Sequence, residues 1–253
     1  MPKLITSIIC LFLSVTSWAA TYVINVSEGL AYQIGKDKVQ TALREIYQPL
    51  SIDPTVVYLP SKRGLALLNN GEIDADAGRI DKAMASYDNL IQVPYPLSTV
   101  RLFIYCLKSK DCRPSEQVGH LIVQGTLISE QFCKKRQLSC NIVANDTSAF
   151  SALQKNYAPS LIANDRFAVG TICASGMTEI YARPLTEELK AYHYVHKKHA
   201  DLVPKLTRSI KNLMDQNLLQ GRFQSLMDAA KECDLKVTFL TDTQSEVSVD
   251  SRK

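Results

Sequence analysis

Beyond its first twenty residues the chain has no apolar run long enough to cross a bilayer, which excludes a body built of membrane-spanning helices. It also has no basic stripe. Its 29 Lys and Arg stand against 25 Asp and Glu, a formal charge of +4, and they are scattered, so nothing reads as a nucleic-acid surface. There are seven cysteines but no C-x-x-C, and their spacings are not those of zinc sites. What is present is an ordinary globular composition. At 253 residues, 46% hydrophobic and 21% charged, the chain can bury one large core or two small ones.

Residues 1–19 are expected to be a processing signal rather than part of the fold. Lys3 supplies a positive start, 4–15 a short apolar stretch, and Ser17-Trp18-Ala19 a small-x-small cleavage site, with Ala20 or Thr21 as the mature start. Cys10 follows Ser7-Ile8-Ile9, without the small residue a lipoprotein signal places before its cysteine. The reading is export to the periplasm without a lipid anchor, and an uncleaved anchor is the alternative. Cys10 leaves with the signal. Cys106, Cys112, Cys133, Cys140, Cys173 and Cys233 remain, and an even number in an exported protein favours disulfides, although six cysteines allow fifteen pairings. Cys106 and Cys112 flank LKSKD, and Cys133 and Cys140 flank KKRQLS, loops short enough to close locally. Cys173 with Cys233 is then the remainder and would tie distant parts of the chain.

The stretch 69–96, NNGEIDADAGRIDKAMASYDNLIQVPYP, is the one around which the rest is arranged. Asn69, Asn70 and Gly71 stop a helix. A short strand, 73–77, ends at Gly78 and Arg79, the place where open α/β sheets put ligand contacts. The glycine lets a ligand approach the backbone and the arginine offers a planar fork to a carboxylate. A turn glycine with a solvated arginine is the plainer reading. Upstream, 22–27 alternates as a strand and 28–36 reads as a loop. A helix from Asp37 has Val39, Leu43, Ile46 and Tyr47 on one face. Strand 55–59 and a helix opened by Pro60-Ser61, with Leu65 and Leu68 inward, complete a parallel β-α-β-α-β unit.

Downstream, a strand at 90–93 is expected to stop at Pro94 and Pro96. Strands at 100–107 and 119–124, a helix from Gly125-Thr126 to Lys135, a strand at 141–144, a helix capped by Asp146-Thr147 and a short strand, 161–163, ending at Asn164-Asp165 form a second such unit. The chain closes with a strand at 191–197 and a helix capped by Asp201, with Leu202, Leu206, Ile210, Leu213 and Met214 on one face. Beyond Gly221 a further helix carries Phe223, Leu226 and Met227, and 241–253 reads as a disordered polar tail.

Four segments in this order resemble the bacterial extracellular solute-binding proteins of family 3. They are LNNGEIDADAGRI, HLIVQGTLISE, SALQKNYAPSLIANDRFA and YHYVHKKHADLVPKLTRSIKNLMDQNLLQGRFQSL. The resemblance implies an α/β, type II periplasmic-binding-protein fold. Its two lobes would each be an open, mostly parallel sheet flanked by helices, joined by two crossing strands and closing on a ligand by hinge motion. Lobe one would be 20–97 plus 195–240 and lobe two 98–194, with crossings near 96–99 and 194–196. It further implies that Gly78 and Arg79 line the cleft from lobe one, that Ser98 passes it on the first crossing, and that Thr126 offers a helix N-terminus to a ligand carboxylate. Asp165 would pair with the ligand's ammonium, with Glu28 and Tyr32 in the loop after the first strand. Two departures stand out. Family members binding amino acids carry Thr-x-x-Arg before the Pro-Tyr, where this chain has AMASYDN, and the usual aromatic pair after the first strand is missing.

The expected role is capture of a small polar solute, an amino acid or related carboxylate, for an inner-membrane transporter, by a monomer without cofactor. A sensor partner of a membrane receptor is the second reading. An enzyme such as a dehydratase, with Asp165 or Glu28 as acid or base, is the third. His193, His196 and His199 invite a metal reading, but 193 and 196 point to opposite faces of a strand, and exposed or hinge-side positions are expected. Asp74 and Asp76 are expected to be structural. Lys134, Lys135 and Arg136 complement a helix dipole.

Overall fold

The computed structural model describes residues 21–84, 86–165, 168–219, 233–241 and 246–249. The expected signal and the expected helix beyond Gly221 lie outside them. Among the described residues no helix is long and apolar enough to cross a membrane.

The first sheet grows from β1 (Val23–Ser27), whose Ile24, Asn25 and Val26 are all buried, as a central strand with helices on both faces requires. It pairs in parallel with β2 (Thr55–Leu59) and β3 (Ala75–Ile80). The crossovers are α2 (Lys36–Tyr47) and α3 (Ser61–Asn69). α2 buries Val39, Ala42, Leu43, Ile46 and Tyr47, the stripe its spacing predicts. β10 (Leu189–His196) lies antiparallel to β3 and to β4 (Leu90–Val100), so the order is β2-β1-β3-β10-β4. α7 (Val203–Asp215) adds Leu206 and Ile210 to the same core.

Three local expectations change. Residues 28–34 form a helix, α1 (Glu28–Ile34), because the Ser27 hydroxyl accepts the Leu30 N–H and caps it. β3 contains Gly78 and Arg79 instead of ending before them, since β10 extends it, with Tyr192 opposite Arg79. β4 runs through both prolines. It is an edge strand, where a missing ladder donor is tolerated, and register shifts on either side of Tyr192 absorb the mismatch.

The second sheet contains β5 (Leu102–Cys106), β6 (His120–Val123), β7 (Cys140–Val143), β8 (Ser160–Asn164), β9 (Glu179–Pro184), β11 (Lys236–Leu240) and β12 (Glu246–Val249), in the order β12-β11-β9-β5-β8-β6-β7. β6, β7 and β8 are parallel, as are β9 and β11, and the remaining pairs are antiparallel. Helices α4 (Leu127–Lys135), α5 (Asp146–Gln154) and α6 (Ala168–Ala174) accompany it. Phe150, Leu153, Leu161, Ile172 and Ile180 centre its core. The chain changes sheets at Arg101, between Pro184 and Leu189, and a third time between β10 and β11, not at 96–99 and 194–196. Residues 236–240 sit in this sheet rather than with the first lobe, and 246–249 are a paired strand rather than disordered tail. The cause is covalent and apolar. The Cys173–Cys233 disulfide fixes the approach to β11 at α6, and Val237 and Leu240 are buried. Cys106–Cys112 and Cys133–Cys140 are also bonded.

Candidate functional site

Asp76, fully buried in β3, needs counter-charge, because an ionised carboxylate without partners is strongly disfavoured in the interior. Its Oδ2 accepts Arg79 Nη2 at 2.7 Å and Asn25 Nδ2 at 2.6 Å, and its Oδ1 accepts the Gly78 N–H at 3.2 Å. Arg79 Nη1 donates to the Ser61 hydroxyl at 2.7 Å. Arg79 is only 8% exposed, and its Nε has no hydrogen-bond partner among the described residues. Both Nη groups of the fork expected to meet a ligand carboxylate are thus engaged by Asp76 and Ser61 within the first lobe.

Ser61 opens α3 and faces the second lobe across Gly125. A Cβ at Gly125 would stand 3.7 Å from the Ser61 Cβ, and Gly125 has φ of +78°, a left-handed turn that glycine adopts without strain. Thr126, buried, takes the cap position of α4 without a side-chain capping bond. Glu130 folds back so that its Oε1 accepts the Gly125 N–H at 3.3 Å, while its Oε2 pairs with Lys62 of α3 at 2.7 Å. Leu127 packs against Leu65, Leu68, Ile73, Met84 and Tyr194 of the first lobe. On α1, Tyr32 is 65% exposed and its hydroxyl lies 3.5 Å from the Thr147 hydroxyl of α5.

The structure thus brings Arg79, by way of Ser61, to the Gly125-Thr126 turn, and Tyr32 to the second lobe. The other expected residues lie elsewhere around this junction. Glu28 is exposed in the first turn of α1. Gly78 faces the Leu97 and Leu30 side chains. Ser98 is on β4 opposite Ala191. Asp165 clasps the first lobe crossing: its Oδ1 accepts the Arg101 N–H at 3.1 Å and its own N–H reaches the Arg101 carbonyl at 3.0 Å. An apolar hollow lined by Leu30, Ile34, Val39, Leu43, Ala77 and Leu97 lies within the first lobe beside Gly78.

Sequence reasoning missed Ser61, which holds Arg79 within the first lobe, and Lys62 and Glu130, whose pairing exists only because two lobes meet. It also missed Asp146 as more than a cap. Asn145 is the cap of α5, its Oδ1 accepting the Ser148 N–H, and Asp146 follows it with 3% exposure. Its Oδ1 has no partner among the described residues, and burial pushes its pKa up to about 7, which its own backbone N–H offsets only in part.

The histidines expected at exposed or hinge-side positions are placed otherwise. His193 is fully buried, with Nε2 2.6 Å from the Tyr47 hydroxyl and Nδ1 facing the Ala77 carbonyl. His196 is buried and its Nδ1 accepts the Lys198 N–H. His199 meets Asp74 at 2.7 Å. Burial alone would raise the Asp74 carboxyl, but Lys198, the Val23 N–H and His199 outweigh it and hold the carboxyl below its usual range. Asp74 and Asp76 are therefore separate ion-pair centres, not one acid–base pair.

No family model matches the chain, and no curated protein does. Solved structures match over most of its length. The GluR0 ligand-binding core from Nostoc punctiforme in complex with (L)-glutamate aligns with a TM-score of 0.63 at 12% identity, over 80% of this chain and 97% of that one. An ancestral amino acid-binding protein, a precursor of cyclohexadienyl dehydratase, aligns at 0.63 and 13%, over 81% and 95%. A histidine kinase sensor domain with similarity to periplasmic binding proteins aligns at 0.63 and 11%, over 80% and 94%. Shared architecture at these identities fixes the fold: the chain has the α/β two-lobe fold of type II periplasmic binding proteins.

Proposed function

We propose that the chain is an exported, periplasmic binding protein whose lobes close on a small polar solute. The observation that carries this reading is the junction itself. The C-terminal ends of parallel strands from both sheets meet there, as they do at ligand crevices of open α/β folds, and bring Ser61, Thr126 and Tyr32 around one boundary. Likeness to structures described as ligand-binding or amino acid-binding supports it. A carboxylate-bearing solute fits a helix N-terminus such as that of α4, whose first N–H groups suit an anion. Delivery to an inner-membrane transporter by a monomer is the associated role. A sensor domain reporting to a membrane receptor is the second reading, favoured by the likeness to a kinase sensor domain.

The test is a thermal-shift screen of the mature protein against amino acids, di- and tricarboxylates, polyamines and short peptides. A ligand that binds only the folded state raises the melting temperature. A hit that is lost in Thr126→Val and Tyr32→Ala, and is not turned over, supports the binding reading. A hit that is chemically converted supports an enzyme on this scaffold, and an empty panel moves weight to the sensor reading. Arg79→Ala is a poor probe of contact with solute, because it would leave Asp76 buried and unpaired.

A further inference from the structure

The interlobe contact at α3 and α4 combines three features that a passive boundary between lobes does not need. Lys62 and Glu130 form an ion pair across the boundary at 2.7 Å, and the Glu130 side chain is only 21% exposed. The same carboxylate accepts the Gly125 N–H at 3.3 Å, so the pair is joined to the turn that opens α4. One residue further on, Leu127 lies against a five-residue apolar cluster of the other lobe. Exposed ion pairs alone contribute little and are screened by salt. A pair shielded on one side and set beside an apolar plug is screened less, because leaving the arrangement exposes hydrophobic surface and a desolvated charge together.

We infer that Lys62, Glu130 and Leu127 form a latch that biases the two lobes toward the closed arrangement independently of any solute. Glu130 is its centre, joining the ion pair to the Gly125 turn, and Leu127 supplies the buried area. The latch sets how much of the closure energy the protein itself provides. A solute then needs correspondingly less differential affinity to complete closure.

The experiment is small-angle X-ray scattering of the mature protein with no solute added, so its outcome is separate from whether the protein binds a solute at all. A compact chain of this length has a radius of gyration of about 17 Å. Lys62→Glu, at an exposed side chain that leaves both cores intact, and Leu127→Ala should each raise the radius, on the order of 1 Å for hinge opening. Lys62→Arg, which keeps the pair, should leave it unchanged. Far-ultraviolet circular dichroism of each variant confirms that it is folded. A radius unmoved by both Lys62→Glu and Leu127→Ala overturns the latch.

Discussion

At the scale of single residues, two buried titratable groups act on stability in opposite senses. Burial pulls His193 down to about 4, against which the Ala77 carbonyl and the Asp76 charge act only partly. An unfolded histidine titrates near its ordinary 6.5, so between about pH 4 and 6.5 the unfolded chain binds more protons than the folded one. Stability from His193 is therefore complete above about 6.5 and is lost as the pH falls toward 4, by about 3 kcal/mol in full. Chemical denaturation at a series of pH values should show this slope, and His193→Asn should flatten it. Asp146 works the other way. Its folded pKa of about 7 lies above the unfolded carboxylate value, so the folded state holds the extra proton and loses stability as the pH rises from about 4 to 7. Asp146→Asn, which stays neutral, should stabilise the protein by a few kcal/mol at pH 8 and have little effect at pH 4. A melting temperature that shifts equally at both pH values would show that the side chain acts through packing instead.

At the scale of elements, the packing of α3 on β1 rests on Gly64. A Cβ there would run into the amide of the Asn25 side chain, the group that donates to Asp76. Gly64→Ala should thus cost roughly 1–3 kcal/mol through overpacking and also disturb the Asp76–Arg79 pair. Urea denaturation measures the first effect, and faster amide exchange across 75–80 measures the second. The elements that could be read from the sequence are those whose own pattern suffices. α2 and α7 repeat apolar residues at helical spacing, and Gly125-Thr126 announces the start of α4. α1 was hidden by Gly29 and Gly35, which read as loop, although Ser27 caps it. β4 was cut short at its prolines because its edge position, which makes them harmless, is a property of the whole sheet. β11 was assigned to the wrong lobe because its partner β9 is distant in sequence. The positions of Thr126 at the start of α4 and of Tyr32 after β1 follow from their elements and could be read from the sequence, while their contact with a solute is the proposal. The pairing of Arg79 depends on the burial of Asp76, and that of Lys62 with Glu130 exists only where the lobes meet, so neither can be read from the sequence.

At the scale of the whole molecule, covalent reinforcement is distributed unevenly. The three disulfides, Cys106–Cys112, Cys133–Cys140 and Cys173–Cys233, each have at least one cysteine in a strand of the second sheet or in a helix beside it. The first lobe relies on its apolar cluster around Ile24, Leu43, Ile46, Val195, Leu206 and Ile210. Cys173–Cys233 closes the longest loop, with a sequence separation of 60, and so restricts the unfolded chain most, which in the chain-entropy account stabilises by about 4 kcal/mol. Its loop spans β10 and α7 of the first lobe, so the bond also fixes where the chain returns to the second lobe. Reduction should therefore act asymmetrically. Hydrogen exchange with and without reductant should show large losses of protection at 102–106, 160–164 and 236–240, and much smaller ones at 23–27 and 39–47. Calorimetry of the reduced protein should resolve two transitions where the oxidised protein shows one dominant transition. An equal loss of protection in both lobes would mean that the lobes unfold as one cooperative unit, with the contacts of α3 and α4 strong enough to make the second lobe's disulfides stabilise the first lobe as well.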